Sequence, residues 1–184
     1  LTDAEALRLP QLQLLTAKPV LYACNVSEHD SAKGNTLSAQ VAEKAEEDGA
    51  AYVIVSAAIE AEIATLSDEE AAEFISDMGF KEPGLNRLIR AGYDLLDLLT
   101  FFTAGPKEAR AWTVSNLATA PMAAGVIHTD FQRGFIRAET VSYDDYIACQ
   151  GEAGAKDAGK LRIEGADYQV CLLYTSPSPR DSYG

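Results

Sequence analysis

An α/β segment followed by a small α+β domain is the architecture this sequence predicts, and three observations predict it. Two short, continuously apolar runs, Pro19 to Cys24 and Tyr52 to Val55, flank a helical pattern, which is the strand–helix–strand order of a parallel sheet. Amphipathic helical patterns occupy most of the stretch from Ser67 to Thr100. From Phe101 onward the texture changes to short strand-like runs broken by turns, so a boundary is placed near Thr100.

In chain order, the residues from Asp3 to Leu9 read as helical, and Leu12, Leu14 and Leu15 lead through Thr16-Ala17-Lys18 into the first strand, Pro19 to Cys24. That run is apolar throughout, as suits a parallel strand covered on both faces. Asn25 to Asn35 is polar and loop-like. Thr36 to Asp48 carries Leu37, Val41 and Ala45 at helical spacing and closes at Gly49, and the second strand follows. Ser67-Asp68-Glu69-Glu70 matches the S-x-x-E capping box, which opens a helix reaching Met78 before Gly79. After the Pro83-Gly84 turn, Leu85, Leu88, Ile89, Leu96 and Leu99 predict a helix ending near Thr100. Strands are then expected at Phe101 to Thr103, Ala109 to Val114, Phe135 to Val141 and Tyr168 to Val170, with a short helix around Pro121 to His128.

Composition bounds the function classes. The 184 residues are 47% apolar and 23% charged with mean hydropathy near zero, the make-up of a globular chain with no run long enough to span a bilayer. A cytoplasmic home without membrane contact is expected. Cys24, Cys149 and Cys171 lie far apart and form neither a disulfide framework nor a zinc pattern. The formal net charge of −13 argues against non-specific wrapping of DNA, because phosphate contacts rest on clustered Lys and Arg.

Chemistry concentrates where open α/β sheets bind ligands, beyond the carboxyl ends of the strands. Asn25-Val26-Ser27-Glu28 follows the first strand, and Ser56-Ala57-Ala58 follows the second. An Asn amide donates and accepts while a carboxylate only accepts, which is equipment for reading a purine edge. Ser56, Ala57 and Ala58 would form a small-residue loop closing over the base; the plain alternative for both segments is an ordinary turn. Elsewhere, His128, Asp130 and Glu139 could make a metal or acid–base cluster, although no catalytic or metal-ligating residue is assigned. His29 beside Asp30 reads as solvated, and Trp112 with Phe101 and Phe102 reads as core rather than a stacking surface. Lys107, Arg110, Arg133 and Arg137 could form a basic face for ribosomal RNA, or a salt-bridged surface.

Two longer stretches carry a family resemblance: Phe101-Phe102-Thr103-Ala104-Gly105-Pro106-Lys107-Glu108-Ala109-Arg110-Ala111-Trp112-Thr113, and the run from Ala123 through Gly125-Val126-Ile127-His128-Thr129-Asp130-Phe131-Gln132-Arg133-Gly134 to Glu139. Both resemble the TGS domain, a β-grasp module of ubiquitin-like shape, of the YchF/Obg-like ATPase family. The resemblance runs from about Leu12 to Val170 and includes the segments around Asn25 to Glu28 and Ser56 to Ile63. It implies residues 1–100 as the C-terminal part of a P-loop nucleotide-binding domain and 101–170 as the TGS domain. The implied activity is hydrolysis of ATP, and of GTP as well, with Mg²⁺ and in association with ribosomes. Where guanine-specific P-loop proteins carry Asn-Lys-x-Asp, this chain has Val26 and Glu28 in place of the Lys and Asp, so adenine becomes acceptable.

The resemblance also implies that the phosphate-binding loop and the Mg²⁺ ligands precede Leu1, which leaves this chain inactive by itself; the alternative is a non-catalytic β-grasp adaptor. Residues 171–184, beginning Cys171-Leu172-Leu173-Tyr174-Thr175-Ser176-Pro177, resemble the translation of a sequencing adapter. The expected TGS sheet therefore lacks its last strand and has an unpaired edge.

Overall fold

The computed structural model describes residues 11–105 and 107–170 in full, together with the backbone of 9–10 and 173–176. The helical pattern expected over Asp3 to Leu9 falls almost wholly outside the described residues, as do Pro106 and most of the expected tail. The chain divides into two units, Leu1–Leu96 and Asp97–Gly184.

In the first unit, two 3₁₀ segments, Leu9–Leu12 and Leu15–Ala17, precede β1 (Leu21–Asn25). Helix α1 (Thr36–Asp48) crosses to β2 (Ala51–Val55), which pairs parallel with β1 from Leu21↔Ala51 to Asn25↔Val55. Helix α1 starts where Asn35 accepts the amides of Leu37 and Ser38 while Ser38 returns a side-chain bond to Asn35, and it stops at Gly49 with φ 64°. The side-chain oxygens satisfy amides that have no partner within the helix, and glycine takes the left-handed stop without steric cost.

Next come α2 (Ala57–Ile63), α3 (Asp68–Asp77) and α4 (Gly84–Leu95). The Ser67–Glu70 capping box opens α3 as read from the sequence. Helices α1 and α4 pack on the strand pair. Burial on both faces is not complete, since Val20 and Tyr52 are each 47% exposed and Ala23 is exposed too. The sheet of the first unit has two strands among the described residues, and two helices cover only part of it.

The second unit opens with the hairpin β3 (Leu98–Ala104) and β4 (Ala109–Ser115), in register from Leu98↔Ser115 to Ala104↔Ala109. The helix expected to reach Thr100 ends five residues earlier. Asp97 takes φ 50°, which no helix continues through, and Leu99 lies in a strand as part of the core with Phe101, Val114, Ala118, Ala123 and Val170. Helices α5 (Ala120–Ile127) and α6 (Thr129–Arg133) follow, then β5 (Ala138–Ser142), α7 (Tyr143–Ala148), α8 (Glu152–Asp157) and β6 (Arg162–Glu164). The run at Tyr168 to Val170 is tied to Ala118–Ala120 by single bonds and the Thr119↔Gln169 bridge rather than by a ladder.

The sheet is not left open. A strand β7 (Leu173–Ser176) lies between β3 and β5, parallel to the first and antiparallel to the second, in the order β4-β3-β7-β5-β6. The missing last strand was expected because this tail looked foreign; in the structure its backbone fills the slot, and the slot asks only for an extended segment with free amides and carbonyls.

Two outcomes follow from the turns. Gly34 has φ 74°, and a Cβ there would overlap the Ser38 hydroxyl and come within 2.8 Å of Ile54 Cδ1, whereas a Cβ at Gly49 meets nothing. Gly34→Ala is expected to cost about 3 kcal/mol and Gly49→Ala about 1 kcal/mol in urea unfolding. Ser67 holds the Glu70 carboxyl below its usual range, first through its backbone amide and then through its hydroxyl. A depressed carboxyl contributes stability above its unfolded pKa and loses it as pH falls, so the stability gap between wild type and Glu70→Gln is expected to hold near neutrality and shrink below about pH 4.

Candidate base-binding site at the parallel strand ends

The register of β1 on β2 decides what meets at the carboxyl end of the first unit's sheet. With Asn25 opposite Val55, the chain leaves both strands at one edge, and the two polar segments read from the sequence emerge side by side. They are bonded to each other. The Val26 amide donates to the Val55 carbonyl at 2.9 Å, and the Ala57 amide donates to Asn25 Oδ1 at 3.0 Å. The second bond fixes the amide orientation of Asn25, because only the oxygen can accept. Asn25 Nδ2 then faces outward with both protons free among the described residues, and Asn25 is exposed.

Val26 is half-buried, and its amide is committed to Val55, so its carbonyl is the backbone group left for a ligand. Glu28 opens a 3₁₀ turn, Glu28–Asp30, and is exposed. The turn is closed by Ser31, whose hydroxyl donates to the Glu28 carbonyl at 2.5 Å. Ala57 and Ala58 were expected in a loop but form the first turn of α2. Ser56 in extended conformation precedes Ala-Ala-Ile-Glu-Ala-Glu, a run of strong helix formers apart from the isoleucine, so the chain enters a helix as soon as the strand ends. Ser56 is 3% exposed, and its hydroxyl points inward without a partner among the described residues. Its hydroxyl is therefore not part of the exposed edge that the two segments form. The exposed edge where the two segments meet presents Asn25 Nδ2, the Val26 carbonyl, the Glu28 carboxylate and the methyls of Ala57 and Ala58.

The other candidates separate. His128 caps α6, its Nδ1 accepting the Asp130 amide at 3.2 Å, and no group of three His, Cys, Asp or Glu that could hold a metal exists among the described residues. Phe101 is 1% exposed and cannot stack on a ligand. Trp112 packs on the core, donates from Nε1 to Thr103 Oγ1 at 2.9 Å and carries Arg110 over its ring at 5.0 Å. Lys107, Arg110, Arg133 and Arg137 are all exposed, and none makes an ion pair among the described residues. The rung Arg110–Thr103–Thr175–Thr140 puts the end of β3 level with the start of β5, so Lys107, Arg110 and Arg137 share one end of the sheet.

One spacing passed over in the sequence is Gly154-Ala155-Lys156-Asp157-Ala158-Gly159-Lys160-Leu161, which approaches a phosphate-loop pattern but has Leu161 where Ser or Thr would bind metal. It begins inside α8 and runs into β6, the reverse of the strand–loop–helix order that presents helix amides to phosphate.

The chain is similar to known proteins. Residues 98–171 match the YchF-GTPase C-terminal family model, described as a protein of unknown function (DUF933). A protein named ribosome-binding ATPase YchF from Haemophilus ducreyi is 61% identical over 156 residues, covering 85% of this chain and 43% of that protein. Its namesake from Bacillus subtilis is 50% identical over 171 residues, covering 92% of this chain and 47% of that protein. The solved YchF GTPase of Schizosaccharomyces pombe superposes with a TM-score of 0.78 at 32% identity, over 95% of this chain and 48% of that one. The chain thus spans about half the length of the relatives it matches.

The Asn25–Ala57 bond separates two roles of one side chain. Asn25→Asp keeps the acceptor and is expected to unfold at the wild-type urea midpoint, whereas Asn25→Ala loses the tie and about 1 kcal/mol. Equal destabilisation by both variants would contradict the assigned amide orientation.

Proposed function

We propose that this chain, whose residues 98–171 match the YchF-GTPase C-terminal family model and which is similar over most of its length to proteins named ribosome-binding ATPase YchF, carries the base-recognition segment and the TGS domain of an ATPase that works on the ribosome in the cytoplasm. The observation that carries the reading is the joined pair of strand ends, where the side chain of Asn25 bonds to Ala57 and leaves its amide protons outward. A purine presents an acceptor at N7, which Asn25 Nδ2 matches. Adenine then offers an exocyclic amino donor where guanine offers an oxygen. The Val26 carbonyl and the Glu28 carboxylate only accept, so they complement the adenine edge and face the guanine oxygen unfavourably. GTP binds through N7 and through the guanine N–H groups that Glu28 reaches, with lower affinity.

Phosphoryl transfer requires Lys, backbone amides and Mg²⁺ placed around the reacting phosphate. The described residues present no such constellation, and no residue of this chain is assigned to Mg²⁺, which accompanies the nucleotide phosphates. By itself the 184-residue chain is therefore proposed to bind the base without turnover. The relatives' printed name speaks of ribosome binding, and for this chain the exposed group Lys107, Arg110, Arg133 and Arg137 is the proposed contact with ribosomal RNA. These residues lie in the less acidic unit: Asp97–Gly184 has 8 Lys and Arg against 11 Asp and Glu, where Leu1–Leu96 has 7 against 17.

The test is an NMR titration of the isotope-labelled chain with adenosine and guanosine. Adenosine is expected to shift the amides of Val26 to Glu28 and of Ala57 and Ala58, guanosine to bind more weakly, and Glu28→Ala to weaken adenosine about tenfold. Absence of any shift at these amides would remove the base-site reading. ATP turnover by this chain that disappears in His128→Ala would replace it with a different hydrolase.

A further inference from the structure

The base-reading residues sit on a short connection between β1 and a 3₁₀ turn, and such a connection reads a base only if something holds it still. The Val26 amide is anchored on Val55, but Ser27 and Glu28 have no ladder partner. Their carbonyls accept from the Asp30 amide at 3.1 Å and the Ser31 amide at 3.3 Å, which closes the turn, and side chains tie that turn to α1. Ser27 donates its hydroxyl proton to Asp30 Oδ2 at 2.9 Å, and the same oxygen accepts from Asn35 Nδ2 at 3.1 Å. Asn35 is itself fixed. Its Oδ1 accepts from Leu37 and Ser38 at 3.1 and 3.0 Å, and its amide donates to the Ser38 hydroxyl at 2.8 Å, with Ser38 buried. The Asp30 carbonyl also takes the Gly34 amide at 2.6 Å. A continuous series of bonds therefore runs from the buried Ser38 in the first turn of α1 through Asn35 and Asp30 to Ser27.

We propose that Asp30 is the positioning residue of the base site, holding the Val26–Glu28 segment in its reading geometry by fixing Ser27 to the start of α1. The inference rests on the base-site reading of Asn25, Val26 and Glu28 and adds a residue that touches no ligand. A carboxylate suits the role because one ionised oxygen accepts two donors at once, each bond charge-assisted. The same two donors, Asn35 first and Ser27 second, hold the Asp30 carboxyl below its usual range. Ser27 has a single proton to give, and Asp30 takes it; without the Asp30 carboxylate the turn keeps its backbone bonds to Ser27 and Gly34 but loses the side-chain tie to Asn35.

The experiment uses the 184-residue chain and adenosine, followed by NMR, in wild type, Ser27→Ala, Asp30→Ala and the double variant. Each single variant is expected to weaken adenosine about tenfold, and the double variant no further, because the two residues act through one bond. The Leu37 and Ser38 amide shifts, which report the α1 cap, are expected to stay in place, which separates loss of positioning from unfolding. Asp30→Asn retains one acceptor and is expected to fall between wild type and Asp30→Ala. Wild-type affinity in Asp30→Ala, or a double variant weakened by the product of the single effects, overturns the assignment while leaving the base site intact. A wild-type chain that ignores adenosine removes the base site and this assignment with it.

Discussion

The in-register parallel pairing of β1 with β2 is the constraint on which the first unit depends. Parallel strands require a crossover, and α1 supplies it between a polar N-cap at Asn35 and a left-handed stop at Gly49. Because the pairing runs to Asn25↔Val55, both strands terminate at one level, and the backbone bond from Val26 to Val55 is continued by a side-chain bond from Ala57 to Asn25. Slipping the register by one residue would turn Asn25 to the opposite face and break the tie. Candidate site and sheet are in this sense one structure, since the last rung of the ladder is made by the residue proposed to read the base.

Elements announced by local chemistry were legible in the sequence. The Ser67–Glu70 box and the Gly49 stop are written in residue types whose function is short-range, and they lie where they were read. The errors fall where tertiary packing overrides a periodic pattern. Leu96 and Leu99 continue the helical spacing of Leu85, Leu88 and Ile89, yet Asp97 turns the backbone to positive φ and Leu99 enters a strand of the second unit's core. Spacing cannot register a single residue that breaks the chain direction. Ala57-Ala58 read as a loop because small residues after a strand are common in loops, although alanine is also the best helix former.

The positions of Asn25, Val26 and Glu28 at and just beyond the end of a strand were legible, but the partition of their atoms was not. That Asn25 uses its oxygen internally and keeps its protons outward, or that the Val26 amide is already bonded, depends on a segment some thirty residues away in sequence. The Ser27–Asp30–Asn35 series is local and could have been suspected from the polar run between Asn25 and Asn35. That run has many donors and acceptors within hydrogen-bonding range, and composition does not decide which of them pair.

The second unit shows how little a central strand position asks of sequence. A slot between β3 and β5 leaves two rows of backbone donors and acceptors unmatched, and an unpaired buried amide costs more than most side-chain choices return. Leu173–Ser176 occupies that slot with the backbone of four residues, parallel to β3 and antiparallel to β5. What marks the segment as unusual is its likeness to a translated sequencing adapter, which does not bear on whether its backbone can pair. The apolar face is defined independently by Leu99, Phe101, Val114 and Ala123, which α5 and the hairpin bring together. Backbone demand and side-chain packing are thus met by different segments, and an extended stretch of modest strand propensity can complete a sheet whose core was specified elsewhere.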